Sequence, residues 1–328
     1  MSPMERLSRD ELGTTLELIS EELRKIESIM IDASTGGTSF LTESTTYLTN
    51  AGGKRLRPAL MVLAARLSPD GVTEEALKTS AAIEMTHLAT LYHDDVIDEA
   101  DSRRGVPSAN EKWGNKVAIL AGDFLFARSS WLTAGVGKDV PKILADAIAE
   151  VVEGQVLELG STYDKYRTID QYFRTIRGKT ASLLEACTRL GAALGGAGER
   201  DIGSMKEFGS EFGYAFQVAD DLLDLAATHE ELGKPPGTDL RDGVYTLPVI
   251  FAAEKDPDLL DLLGDAEVDV DRVRTVVLET GGFQRARDVA LDHVERALAA
   301  LERMPESDAR EALTQIARLV VARVPDLA

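Results

Sequence analysis

Apolar positions recur along this chain at the three- and four-residue spacing of helices, not the two-residue spacing of strands. Leu12, Leu16, Ile19, Leu23 and Ile26 trace one such stripe, and Ile143, Ala147, Val151 and Val152 another. No strand alternation bounded by hairpin turns stands out. Glycine and proline gather at Gly36-Gly37, Ala51-Gly52-Gly53, Gly195-Gly196-Ala197-Gly198 and Gly233-Lys234-Pro235-Pro236-Gly237, which read as loops between helices. With helices of about a dozen residues and short connections, the pattern predicts roughly ten or more helices. No linker-like or low-complexity stretch divides the chain. Residues 1–328 are therefore expected to form a single all-α domain, one large helical bundle.

Composition narrows the classes. Hydrophobic residues make up 44% of the chain, enough for a substantial core, and aromatics only 5%, which favours helix. No run of about eighteen apolar residues appears, so no transmembrane helix is expected. Cys187 is the single cysteine, which rules out an internal disulfide or a thiolate metal site. The segment from Met1 to Arg6 lacks the apolar core of a signal peptide, and the expected location is the cytoplasm. The formal net charge is −20, a surface that repels nucleic acid and anionic membrane. Basic clusters in such a chain carry more information than usual.

Two acidic clusters share the form DDxxD. One is Asp94-Asp95-Val96-Ile97-Asp98, the other Asp220-Asp221-Leu222-Leu223-Asp224, and each follows an apolar stretch, Leu88 to Tyr92 and Phe216 to Ala219. Like charges set together in apolar surroundings are costly unless a cation neutralises them. On a helix, positions i and i+4 share a face, so Asp94 and Asp98 point together. Asp95 lies about 100° round the helix. Asp220, Asp221 and Asp224 repeat the arrangement. Ligands that are all oxygen select a hard cation, Mg²⁺ before Ca²⁺ or Mn²⁺. A solvated acidic helix face explains one such cluster as well as metal does. Two of them, each in apolar sequence, favour facing carboxylate walls that hold divalent metal. His93 points away from Asp94 and reads as a packed or hydrogen-bonding histidine. His87, seven residues before Asp94, shares its face and reads equally as an anion donor or a core histidine.

The basic groups complete the chemistry. Gly52-Gly53-Lys54-Arg55-Leu56-Arg57-Pro58 sets three cations behind two glycines, a combination suited to a diphosphate because glycine admits close backbone approach. Arg103-Arg104-Gly105 follows the first acidic cluster closely, as salt-bridge partners or as a phosphate grip. Lys179-Thr180 and Lys234 add candidate donors.

In this combination the chain resembles the trans (class I) polyprenyl diphosphate synthases of the isoprenoid synthase fold. The matching pieces, in family order, are GGKRLRP at 52–58, HLATLYHDDVIDEADSRRG at 87–105, EGQ at 153–155, KTA at 179–181, FQVADDLLD at 216–224, GKPPGTDLRDG at 233–243 and TLP at 246–248. The resemblance implies a helical bundle around a central apolar cavity, in which an allylic diphosphate is held by several Mg²⁺ ions and joined to isopentenyl diphosphate. It implies Asp94, Asp98 and Asp220 as main metal ligands, with Asp95, Asp221 and Asp224 supporting. Arg103, Lys179, Thr180, Gln217 and Lys234 would surround the allylic diphosphate. Lys54, Arg57, His87 and Arg104 would bind the diphosphate of isopentenyl diphosphate. A homodimer is expected on the same ground, with no nucleic-acid partner and no stable membrane insertion.

One departure stands out: the family often carries a lysine just after the glycine of Arg241-Asp242-Gly243, and here Val244 stands there, followed by Tyr245. Pro236 is a milder variation. Product length turns on the helix of the first motif. Short-product relatives often place a bulky aromatic five residues before the first aspartate, where this chain has Ala89, followed by Thr90. A small side chain there leaves the tunnel open and predicts a product longer than twenty carbons, in the range of quinone tails, unless Ala89 serves only tight helix packing. Tyr92, Met85, Phe126, Trp131, Ala145 and Ile148 are candidates for the tunnel floor. The alternatives are a shorter-product farnesyl or geranylgeranyl diphosphate synthase and a non-catalytic subunit of a heteromeric synthase. The latter partners usually lose one acidic motif, and this chain retains both.

Overall fold

The computed structural model describes residues 13, 17–137, 139–226, 237–264 and 267–325. Leu12, Leu16, Lys234 and Pro236 lie outside them. The first half holds α1 (Ser20–Ser34), α2 (Ser39–Asn50), α3 (Leu56–Arg66) and α4 (Glu74–Ile97), then the strands β1 (Ser102–Arg103) and β2 (Val106–Pro107), then α5 (Ala109–Trp113), α6 (Asn115–Thr133) and α7 (Asp139–Gly160). The second half holds α8 (Ile169–Ile176), a π-helical turn (Arg177–Ala181), α9 (Ser182–Leu194), α10 (Glu199–Ala226), α11 (Thr238–Arg241), α12 (Leu247–Lys255), α13 (Val270–Glu279), α14 (Gly282–Leu301) and α15 (Asp308–Ala322). The all-α expectation holds.

Local chemistry starts several of these helices. Thr73 accepts the Ala76 N–H at 3.1 Å to cap α4, and Glu74 and Glu75 follow in its first turn, where the helix dipole favours acid. Thr168 and Gln171 form a reciprocal capping box at the head of α8. α4 carries buried residues around its whole circumference, from Ala76 to Asp95, which marks it as a central helix rather than an amphipathic one. It packs on α6, α3 and α1, while α9 touches α3, α4 and α10, and α10 packs along α14. Buried apolar side chains from Ile19 to Val324 form one contiguous core. Among the described residues no helix is long and apolar enough to cross a membrane.

The hairpin was not legible, because two-residue strands have no alternation to read. Its turn residues Arg104 and Gly105 both have positive φ, 55° and 78°, as a two-residue hairpin turn of primed type requires. The hairpin turns Arg103 back onto Asp95 of α4 and carries Arg104 to the loop at 52–53.

Candidate active site

The two DDxxD motifs lie at the C-terminal ends of α4 and α10. Asp98 is the C-cap of α4 and donates its N–H to Asp94 O at 2.8 Å, which closes the last turn and keeps the two on one side. Asp94 is half-buried and Asp98 stands at the rim. Burial pushes the Asp94 carboxyl up to about 6, with Asp98 adding repulsion and Lys179 opposing it. Asp95 and Asp98 are raised as well, again by burial first. Asp95 is fully buried. Its Oδ1 accepts Arg103 Nε at 2.7 Å and Nη2 at 2.6 Å, while its Oδ2 is buried without a hydrogen-bond partner.

In the second wall Asp221 is buried and both of its oxygens are engaged. Tyr172 Oη donates to Oδ2 at 2.5 Å and Gln217 Nε2 to Oδ1 at 2.9 Å, and Thr180 Oγ1 donates to the Gln217 amide oxygen at 2.6 Å. Burial pushes Asp221 up to about 7 in spite of those two bonds, and the charge of Asp220 adds to the rise. Asp224 caps the short helix that follows: its Oδ2 accepts the Asp239 N–H at 3.1 Å. Asp220 is half-buried beside them.

Between the walls runs a cavity of about 480 Å³, lined among others by Asp98, Glu158, Lys179, Gln217, Asp221, Asp239 and Val244. Lys179 sits in the π-helical turn, where its Nζ pairs with Glu158 of α7. Burial pulls the Lys179 ammonium down, but Glu158, Asp94 and Asp98 outweigh it and the net shift is upward. The turn is seated by two glycines in backbone contact. A Cβ on Gly154 of α7 would stand 2.6 Å from Lys179 N, so any side chain there would drive α7 off the turn. Single π-type turns inside helices often mark functional sites.

The three cations of the 52–58 motif divide their work. Arg55, with φ 53° and 5% exposed, is buried: Nε reaches Glu27 at 3.0 Å, Nη1 reaches Glu84 at 3.4 Å and Nη2 donates to Thr49 O at 3.1 Å. It ties α1, α2 and α4 together. Lys54 and Arg57 are half-buried, and Arg57 Nε is buried without a hydrogen-bond partner. Arg104 donates Nη1 to Leu48 O at 2.8 Å and to Gly52 O. Gly53 has φ 150°, a conformation that L side chains rarely adopt, and the Arg104 guanidinium packs against it, 3.0 Å from where a Cβ would stand. His87 is driven well down from the usual histidine range by burial and then by Arg57, Arg104, Arg103 and Arg55. These groups are thus gathered in one place around a neutral imidazole.

Other residues fall elsewhere. His93 lies 3.4 Å from Asp123 and 3.2 Å from Ile119 O, apart from the acidic wall. Ala89 and Met85 are fully buried, and Thr90 bonds its own helix at His87 O. Tyr92 donates to Ser44 O at 2.5 Å and accepts the Leu48 N–H, so it is locked onto α2. Trp131 and Ala145 are exposed. Lys234 lies outside the described residues. Tyr172, Glu158 and Arg167, all around the cavity, were missed by sequence reasoning, and Asp239 was assigned no role although it stands in the GKPPGTDLRDG piece. The capping box before Tyr172 marks only a helix start.

The donor set suits a hard divalent cation: carboxylate oxygens alone, one of them the orphaned Asp95 Oδ2, in surroundings that penalise their charge. Among the described residues no three His, Cys, Asp or Glu side chains converge closely enough to hold an ion by themselves. Waters or a bridging anion would complete the coordination of a cation held there.

The polyprenyl synthetase family profile matches residues 38–280. The chain belongs to that family. Its members are prenyltransferases of the isoprenoid synthase fold. Over 314 residues it is 40% identical to the nonaprenyl diphosphate synthase of Mycobacterium tuberculosis, covering 94% of this chain and 90% of the relative. Its fold superposes on a decaprenyl diphosphate synthase from Rhodobacter capsulatus with a TM-score of 0.90 at 35% identity, covering 96% of this chain and 100% of that one. A polyprenyl synthase from Caulobacter crescentus, solved with calcium and isoprenyl diphosphate, gives a TM-score of 0.89 at 34% identity, covering 97% and 98%.

Proposed function

We propose that this family member condenses an allylic diphosphate with isopentenyl diphosphate between the α4 and α10 walls, and repeats the step to a product longer than twenty carbons. The observation that supports the reading is one cavity lined by Asp98 of the first wall, Asp221 of the second and Lys179, with Asp94 and Asp221 both raised by burial. Asp94, Asp98 and Asp220 would hold Mg²⁺, with Asp95, Asp221 and Asp224 supporting. The bound metal would neutralise the charge on the departing diphosphate.

The chain's own groups do the rest. Lys179, Arg103 and the Thr180–Gln217 pair orient the allylic diphosphate as its C–O bond breaks. Lys54, Arg57, His87 and Arg104 fix isopentenyl diphosphate so that its double bond meets the allylic cation. A C–C bond forms, and a proton leaves to the released diphosphate. His87, kept neutral by burial and then by its cationic neighbours, donates a hydrogen bond without competing for that proton. Water must be kept from the cation, and Ile97, Leu159, Ile176 and Val244 supply apolar lining.

Ala89, small and one turn and a half before Asp94, supports the long product, as do the nonaprenyl and decaprenyl relatives. The reading treats the chain as one domain working in the cytoplasm, supported by the continuous core and the −20 charge. It includes a homodimer through α6 and α7, supported by the exposed Leu120, Trp131, Val152 and Val156 on those helices. The test is chromatography of the products made from farnesyl diphosphate, isopentenyl diphosphate and Mg²⁺. Products beyond twenty carbons, lost on adding EDTA, are expected; release of farnesyl or geranylgeranyl products alone would refute the length assignment.

A further inference from the structure

Six carboxylates line the cavity, Asp98, Glu99, Glu158, Asp221, Asp239 and Asp242, against two cations, Lys179 and Arg167. Lys179 is already paired with Glu158. Arg167 differs. It lies between α7 and α8 and is 4% exposed. Its Nη1 donates to Tyr245 O at 3.1 Å, and its guanidinium lies 5.7 Å from the centre of the Tyr172 ring. Nε is buried and has no hydrogen-bond partner. Among the described residues Arg167 makes no ion pair. A buried cation with no direct ion pair and an unmade hydrogen bond is costly, and the cost falls when an anion arrives. Nε and Nη2 share one edge of the guanidinium, the fork that matches two phosphate oxygens. The anchoring carbonyl belongs to the neighbour of Val244, which itself lines the cavity and brings no charge.

We propose that Arg167 is a further diphosphate-binding residue, gripping the allylic diphosphate from the Val244 side of the cavity through the Nε–Nη2 edge. The assignment rests on the prenyl-transfer reading and adds one substrate contact to it. It also explains why a burdened guanidinium stands in a cavity whose other charges are mostly acidic. Its positive charge acts on Asp221 and Tyr172, the pair at the base of the second wall.

The test uses the full chain with Mg²⁺. Inorganic diphosphate is titrated calorimetrically into wild type, Arg167→Gln and Arg167→Lys, and KM is measured separately for farnesyl and isopentenyl diphosphates. Losing a charged hydrogen-bonding group should weaken inorganic diphosphate and raise the farnesyl diphosphate KM by roughly 10–100-fold, with the isopentenyl diphosphate KM moving less than about twofold. Arg167→Lys should recover part of the loss. Val244→Lys placed in the Arg167→Gln background should regain roughly tenfold, since it returns a cation to the same wall. A merely structural arginine would lower the melting temperature without splitting the two substrates. Unchanged diphosphate binding in a variant that melts like wild type would overturn the proposal, as would equal losses for both substrates or no rescue by Val244→Lys. Should Arg167→Gln not fold, Arg167→Lys alone and with Val244→Lys carries the same comparison. If wild type transfers no prenyl group, the prenyl-transfer reading fails while the calorimetric comparison still decides Arg167.

Discussion

Tyr172 donates its hydroxyl to Asp221 Oδ2 at 2.5 Å and so holds a buried carboxylate of the second wall in one orientation. Burial pushes Asp221 up to about 7, and the Tyr172 bond opposes that rise. Tyr172→Phe removes the opposition, so Asp221 should ionise at still higher pH. A charged hydrogen bond is worth about 1.5–3 kcal/mol, so the Mg²⁺ concentration for half-maximal activity should rise by roughly tenfold or more. The deficit should be larger near pH 6 than near pH 8, because low pH leaves the carboxyl protonated. Mg²⁺ titrations of activity at both pH values check this; an unchanged requirement would remove Tyr172 from the site.

The raised carboxyls also set a pH dependence of stability. An unfolded aspartate ionises near 3.8, whereas folded Asp94 does so at about 6. Between those values the folded chain binds a proton that the unfolded chain has lost, so the contribution of Asp94 to stability falls as pH rises through that window. Metal needs the ionised form and should offset the loss. Melting curves without metal should therefore show wild type losing ground to Asp94→Asn between about pH 4 and about pH 7. Added Mg²⁺ should raise the melting temperature of wild type more above that window than below it. A wild type that gains on the variant across the window would contradict the burial argument.

Arg55 and Arg57 are two residues apart and should fail in different ways. Arg55→Met strands Glu84, whose side chain is 3% exposed, and breaking such a buried pair costs about 3–5 kcal/mol. Arg57→Met removes a buried Nε that has no partner, so it should leave the denaturation midpoint nearly unchanged while raising the KM for isopentenyl diphosphate by roughly tenfold. Urea denaturation and initial rates on both variants separate the roles. Comparable stability losses would mean that Arg57 is structural too.

Ala89 is fully buried on α4, five residues before Asp94. If the growing chain runs along that face, Ala89→Phe closes the path and shortens the product. If Ala89 only serves packing, the added ring overpacks the core and costs about 1–3 kcal/mol without changing length. Product chromatography together with a melting curve distinguishes the two, and the first outcome is expected.

These residues show what could be read without coordinates. DDxxD on a helix declares its own geometry, because i and i+4 share a face. Both walls, their pairing across a metal and the helical class followed from such rules, and the family resemblance supplied the substrates between them. The division of labour inside Lys54-Arg55-Leu56-Arg57 was not legible, since the burial of Arg55 depends on Glu27 and Glu84 from two other helices. Tyr172 and Arg167 were not legible either. Their partners Asp221 and Tyr245 lie 49 and 78 residues away, and nothing in the local pattern points to them. That the Arg104 guanidinium packs against Gly53 was not legible either, since 51 residues separate them.

The central claim is that the two walls are halves of one site that a diphosphate must complete. Calorimetric titration of Mg²⁺ with and without inorganic diphosphate tests it most directly, on wild type, Asp94→Ala and Asp220→Ala. The account predicts weak Mg²⁺ binding alone, because among the described residues no three ligands converge, and much tighter binding with diphosphate present. Either substitution should abolish that gain. Tight Mg²⁺ binding without diphosphate, or a gain that survives the loss of one wall, would contradict it.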